Sequence, residues 1–118
     1  MSVVVYHNPR CSKSRQTLKL LQDRGLKPQV IEYLKTPPSK QELKKLLDQL
    51  GMDPRDLIRK KEKAYIDAGL DDPSISKDQL LQAMIDNPIL IERPIVVTGA
   101  KAALGRPPEN VLEIFTDE

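Results

Sequence analysis

Apolar residues along this chain follow two rhythms. Short runs rich in β-branched residues, Val3-Val4-Val5-Tyr6, Gln29-Val30-Ile31-Glu32-Tyr33-Leu34 and Ile95-Val96-Val97-Thr98, predict strands, with a fourth roughly over 101–104. Between them, apolar residues recur at helical spacing. Leu18, Leu20 and Leu21 predict a first helix that stops at Gly25, and Leu43, Leu46, Leu47 and Leu50 a second that stops at Gly51. Ser39 with Glu42, and Ser76 with Gln79, are capping-box pairs that mark helix starts. The second box opens a helix carrying Leu80, Leu81, Met84 and Ile85, closed by Asn87-Pro88. Asp53-Pro54 starts a short helix bearing Leu57 and Ile58, another short helix covers 64–70, and a final one carries Val111, Leu112, Ile114 and Phe115.

The order of these elements predicts the architecture. Strand, helix and strand within the first 34 residues form a βαβ unit, whose crossover is right-handed and whose strands are parallel. Gly99-Ala100 joins the two late strands closely enough for an antiparallel hairpin. The expectation is therefore an α/β fold with a four-stranded mixed sheet flanked by helices. A helical insertion occupies about 39–87, and residues 1–118 make one domain. Lys60-Lys61-Glu62-Lys63 reads as a solvated face.

Composition narrows the function. A chain of 118 residues buries roughly two-thirds of its unfolded surface, enough for a core without disulfides, and its single cysteine permits none internally. With 19 basic and 17 acidic side chains the net charge is only +2, and aromatics make up 3%, so neither a nucleic-acid footprint nor a base-stacking platform is expected. One Cys and one His are too few for a structural zinc site, and no metal is expected. No stretch approaches the roughly 18 apolar residues of a membrane span, which leads to the expectation of a cytoplasmic protein in a compartment that keeps Cys11 reduced.

The only cysteine and the only histidine share one short stretch, His7-Asn8-Pro9-Arg10-Cys11-Ser12-Lys13-Ser14-Arg15. Pro9 disfavours helix at Asn8, so the strand ends near His7 and the helix begins close to Cys11 or Ser12. A thiol there faces unpaired helix N–H groups and the positive end of the helix dipole, with Arg10, Lys13 and Arg15 close in sequence. All of these favour a thiolate and a bound anion. The competing role for a free cysteine is that of a small buried hydrophobe, which the polar setting argues against. His7, four residues before Cys11 across the turn, is placed to influence the thiolate.

These residues carry a resemblance. His7-Asn8-Pro9-x-Cys11-x-x-Ser14-Arg15-x-Thr17-Leu18 resembles the signature of the glutaredoxin-coupled arsenate reductase (ArsC) family. So, in order, do Tyr33-Leu34 before Pro37-Pro38-Ser39, Leu57-Ile58-Arg59-Lys60, the segment from Asn87 to Val97, and Arg106-Pro107. The resemblance implies a thioredoxin-like fold with a helical insertion and a cis bond at Pro94. It also implies Cys11 as nucleophile, with His7, Ser14 and Arg15 tuning the thiolate and Arg59, Arg93 and Arg106 binding the oxyanion. Where the family usually has Gly-Thr after the cysteine and Asn before the threonine, this chain has Ser12, Lys13 and Gln16, which resembles a sister subgroup.

What the resemblance implies for chemistry is reduction of arsenate to arsenite through a thiol-arsenate adduct on Cys11. Three arginines suit such a reaction, because a multiply charged oxyanion approached by a thiolate needs cationic, multidentate donors. With no second cysteine to resolve the adduct, electrons come from an external thiol: glutathione as co-substrate, glutaredoxin as protein partner, and no tightly bound cofactor. A monomer is expected. Two other readings remain open on these residues. One is a regulator of the Spx type that docks on RNA polymerase, although Cys11-Ser12-Lys13-Ser14 lacks the second thiol of its redox switch. The other is thiol transfer such as deglutathionylation, since Cys-x-x-Ser at a helix start is also a monothiol glutaredoxin motif. The spacing argues against a phosphatase-type Cys-x5-Arg loop, since position 17 is Thr and Arg15 lies only four residues after Cys11.

Overall fold

A computed structural model describes residues 2–115, so the ends of the 1–118 reading lie outside the described residues. The chain divides into two compact units, one built from 1–36 and 93–118 and the other from 37–92. Each is described by itself.

The first unit holds the sheet. Strand β1 (Val3–His7) leads into helix α1 (Ser12–Asp23) and strand β2 (Gln29–Glu32), and the unit resumes with β3 (Ile95–Thr98) and β4 (Lys101–Leu104). The order across the sheet is β2-β1-β3-β4. β1 and β2 are parallel, as a βαβ crossover requires, while β3 runs antiparallel to both β1 and β4. Val3, Val5, Leu21, Val96 and Val111 form the buried core, with Leu18, Leu20, Leu26, Ala103, Ile114 and Phe115 packed around it. Each fully buried aliphatic side chain stabilises the fold by about 1.5–3 kcal/mol, which is what anchors α1, and hence the turn before it, to the sheet.

Two expectations change in this unit. The second strand stops at Glu32 rather than running to Leu34, because the Lys35 and Thr36 N–H groups both turn back to the Glu32 carbonyl at 3.0 Å. Val30 and Leu34 are exposed, as side chains at a sheet edge can be. The final helix is a 3₁₀ helix, Pro108–Phe115, rather than an α-helix. At its start the Asn110 N–H bonds the Pro107 carbonyl three residues back at 3.0 Å, the tighter 3₁₀ pattern.

The second unit is helical: α2 (Lys40–Leu50), α3 (Pro54–Leu57), α4 (Lys63–Asp67), α5 (Lys77–Asp86) and a 3₁₀ turn at Pro88–Leu90. Both capping boxes form as the sequence predicts, with Ser39 and Ser76 each accepting from the third helical N–H while Glu42 and Gln79 reach back. α2 ends at Gly51 in the left-handed conformation, φ 69°, which a Cβ would disfavour. Leu43, Leu46, Leu47, Leu57, Leu80, Leu81, Met84 and Leu90 are buried. Beyond α3 the chain pairs with the segment before Arg93. Ile58 and Ile91 form an antiparallel bridge, Arg59 N–H donates to the Leu90 carbonyl at 2.7 Å, and Glu92 N–H donates to the Leu57 carbonyl at 3.0 Å.

The solvated face expected over 60–63 needs one correction. Lys60, Lys61 and Lys63 are exposed, but Glu62 is half-buried, because its carboxylate accepts from Arg59 Nε at 3.0 Å.

Candidate active site

The turn between β1 and α1 is held by its own polar groups. Cys11 N–H donates to the Asn8 carbonyl at 3.0 Å, and Arg10 N–H donates to Asn8 Oδ1 at 3.0 Å, an Asx-type closure of the Pro9-Arg10 corner. Cys11 is the N-cap residue of α1, with extended backbone (φ −96°, ψ 123°) and no side-chain capping bond of its own. Its sulfur is half-buried at the one end of the helix where N–H groups lack intrahelical partners.

The thiol is held below its ordinary pKa. Burial by itself pushes the thiol up. That is outweighed by the Ser14 backbone N–H, by a hydrogen bond from the Arg93 side chain together with its charge, and by the Lys13 backbone N–H. Arg106 adds a second guanidinium, its Nη2 lying 3.6 Å from Cys11 Sγ, within range for a sulfur acceptor.

Strand register explains why these two arginines meet. β3 and β4 pair Ile95 with Leu104 and Val96 with Ala103. One step past the hairpin, Gly105 N–H donates to the Pro94 carbonyl at 2.9 Å, and at the next, Arg106 Nε donates to the Arg93 carbonyl at 2.8 Å. Both arginine–proline bonds, Arg93–Pro94 and Arg106–Pro107, are cis. The resemblance implied the first and the sequence reading did not anticipate the second. Gly105 is required by close approach: a Cβ there would lie 2.7 Å from Pro94 Cγ and against the Thr17 side chain.

His7 and Ser14 form a buried pair within the turn and the start of α1. His7 Nδ1 lies 2.6 Å from Ser14 Oγ, which also accepts the Asn8 N–H at 3.0 Å. With that bond received, the serine hydroxyl is free to donate to a neutral imidazole. The histidine pKa is lowered, first by burial and also by Arg15, against an opposing contribution from Glu32. A neutral His7 is bonded to Ser14 and supplies no positive charge to the sulfur.

The remaining sequence candidates make contacts of their own. Arg15 Nη1 donates to the Pro9 carbonyl at 2.8 Å, bracing the turn from outside, and the Arg10 and Lys13 side chains are exposed. Arg59 belongs to the second unit, where its guanidinium bonds Glu62 and, through Nη1, Glu92 Oε1 at 2.7 Å. Among the described residues, no group of three or more His, Cys, Asp or Glu side chains is placed to hold a metal ion. Among the same residues, no helix is long and apolar enough to cross a membrane. The sequence reading missed Asn8, Gly105, Glu62 and Glu92. Asn8 had a signal in the Asn-Pro turn and Glu62 one in its i, i+3 spacing from Arg59, whereas Gly105 and Glu92 act through partners more distant in sequence.

The chain is similar to known proteins over nearly its whole length. A model of the ArsC family matches residues 6–114. The uncharacterized protein YfgD of Escherichia coli strain K12 is 56% identical over 113 residues, 95% of each chain. An arsenate reductase of Neisseria meningitidis serogroup B is 48% identical over 110 residues, 92% of this chain and 94% of its own. An arsenate reductase from Vibrio cholerae has a solved structure that superposes with a TM-score of 0.95 at 56% identity, covering 97% of this chain and 98% of that one. A cysteine at the start of the first helix, faced by two arginines from a late hairpin, thus comes with a match over nearly the whole sequence: the chain belongs to the ArsC family and has its thioredoxin-like fold.

Proposed function

We propose that this protein reduces arsenate to arsenite, with Cys11 as the nucleophile and glutathione and glutaredoxin as the source of electrons. The observation that carries the reading is the placement of Arg106 Nη2 3.6 Å from Cys11 Sγ, beside a thiol that Arg93 also hydrogen-bonds. The sulfur of a disulfide under attack carries no charge for two guanidinium groups to offset, whereas an oxyanion approaching a thiolate does.

In the first step the Cys11 thiolate attacks arsenic(V), an S–As bond forms, and one arsenate oxygen leaves as water after protonation. Arg93 and Arg106 offset the charge that thiolate and oxyanion bring together, and the helix N–H groups stabilise the sulfur until the bond is made. A glutathione thiolate then attacks Cys11 Sγ. The S–As electron pair stays on arsenic, which departs as arsenite, and a Cys11–glutathione disulfide remains. Glutaredoxin or a second glutathione reduces that disulfide and restores the thiol. Arg59 is assigned to the oxyanion on the family resemblance alone. Ser14 supports the thiolate through its backbone N–H, while His7 and Arg15 support the turn. The protein acts as a cytoplasmic monomer on this reading.

The test is arsenate-dependent NADPH consumption in a coupled assay with glutathione, glutaredoxin and glutathione reductase. Wild type is expected to turn over and Cys11→Ser to be inactive. Turnover retained by Cys11→Ser would overturn the mechanism.

A further inference from the structure

The buried face of α1 carries Ser14, Thr17 and Leu21, and its middle position is polar. Leu21 enters the core with Val5 and Val96, whereas Thr17, which has no solvent exposure, meets a different neighbour. A Cβ on Gly105 would fall 3.1 Å from Thr17 Cγ2, closer still to Thr17 Oγ1, and 2.7 Å from Pro94 Cγ. The bare face of Gly105 is therefore seated against those two side chains. Thr17 is held in one orientation by a bond of its own, because Oγ1 donates to the Lys13 carbonyl at 2.8 Å and a β-branched side chain so bonded keeps a single rotamer.

This contact joins the two sides of the thiol site. Cys11 caps the start of the helix that carries Thr17. On the other side Gly105 N–H donates to the Pro94 carbonyl at 2.9 Å, and the residues adjoining this pair are Arg93 and Arg106. Arg106 Nη2 in turn lies 3.6 Å from Cys11 Sγ.

We infer that Thr17 is a positioning residue, a spacer whose width sets how far Cys11 stands from Arg93 and Arg106. Its importance for turnover rests on the proposed attack of the Cys11 thiolate on an oxyanion. Width acts here, and the hydroxyl does not. In an α-helix the Lys13 carbonyl already receives the Thr17 backbone N–H, so loss of the hydroxyl leaves no acceptor stranded. A narrower side chain instead lets Gly105 and the arginines beside it shift against α1. A small shift weakens a donor at the outer range of contact with the sulfur and misplaces an anion held between them.

The experiment compares wild type with Thr17→Val, Thr17→Ser and Thr17→Ala. Valine keeps the width and removes the hydroxyl, serine keeps the hydroxyl and removes the methyl, and alanine removes both. The first readout is the pH profile of Cys11 alkylation by iodoacetamide, which requires neither arsenate nor glutathione. Thr17→Ser and Thr17→Ala should move the profile toward alkaline pH and slow alkylation roughly threefold at neutral pH, while Thr17→Val stays on the wild-type profile. The second readout is kcat/KM for arsenate, expected to fall roughly tenfold in Thr17→Ser and Thr17→Ala and less than about twofold in Thr17→Val.

A loss of stability alone would lower the unfolding midpoint and leave the profile of the folded protein where it was. Unmoved alkylation profiles in both narrowed variants would overturn the inference. So would a Thr17→Val protein as impaired as Thr17→Ala, since the hydroxyl would then be the acting group. If Thr17→Ala fails to fold, the contrast of serine with valine decides the same question. A wild type that turns over no arsenate would count against the proposed reaction, and the alkylation profiles would still decide the role of Thr17.

Discussion

Arg106 touches Cys11 from 95 residues further along the chain, with Nη2 at 3.6 Å from the sulfur while Nε is tied to the Arg93 carbonyl at 2.8 Å. The guanidinium is thus fixed at one edge and offered to the reacting atom at the other. Removing it takes away a charge-assisted donor, so Arg106→Ala is expected to lower kcat/KM for arsenate roughly ten- to a hundredfold. Arg106→Lys should recover only part of this, because an ammonium cannot hold the Arg93 carbonyl and face the sulfur in the same fork geometry. Steady-state kinetics of the two variants check both statements.

The Arg93 side chain lowers the pKa of Cys11 by hydrogen bond and by charge, against the upward push of burial. Arg93→Ala should move the pH profile of Cys11 alkylation toward alkaline pH. The sign for stability follows from the same shift. A thiol whose folded-state pKa is depressed contributes stability that is present above its unfolded pKa and is lost as pH falls through the folded value. Wild type should therefore lose part of its advantage over Cys11→Ser across that window on acidification, as followed by thermal unfolding at several pH values.

Ser14 is fully buried, and its hydroxyl serves both the Asn8 N–H and His7 Nδ1. Ser14→Ala strands a buried backbone donor and a buried imidazole nitrogen, which costs about 1–3 kcal/mol. Denaturant unfolding measures the loss. Because the Ser14 backbone N–H is unchanged, the alkylation pH profile should move less than in Arg93→Ala.

His7 has its pKa lowered by burial, so the folded state prefers the neutral ring. Between that lowered value and the ordinary histidine value, the unfolded chain binds the extra proton, and stability falls as pH is reduced through this window. His7→Gln should be less stable than wild type at neutral pH, yet its stability should change less across that window. Unfolding midpoints of the two proteins as a function of pH decide it.

Gly105 packs where a Cβ would sit 2.7 Å from Pro94 Cγ. Gly105→Ala forces the two strand ends apart at the step between the hairpin and the arginines, at a cost of about 1–3 kcal/mol. The KM for arsenate should rise as well, because Arg106 follows directly. An unaltered KM together with unaltered stability would contradict the close-packed geometry.

Local chemistry carried much of this architecture in the sequence. Ser39 with Glu42, Ser76 with Gln79 and Gly51 mark helix ends through bonds and backbone angles that span a few residues, and each is found in place. Val3-Val4-Val5 and Ile95-Val96-Val97 announce strands because their packing preference is written in adjacent positions. Even the meeting of Arg93 with Arg106 was implicit, as the two stand equally far from the Gly99-Ala100 turn of an antiparallel hairpin. Tertiary structure alone decided the rest. That the pair faces Cys11 depends on a contact between segments remote along the chain, while the bonds of His7 to Ser14 and of Glu62 to Arg59 span few residues but form only because the backbone between them takes its folded course. Side-chain charges are legible one by one, but which of them end up within bonding distance is set by how the elements pack, and no local pattern encodes that distance.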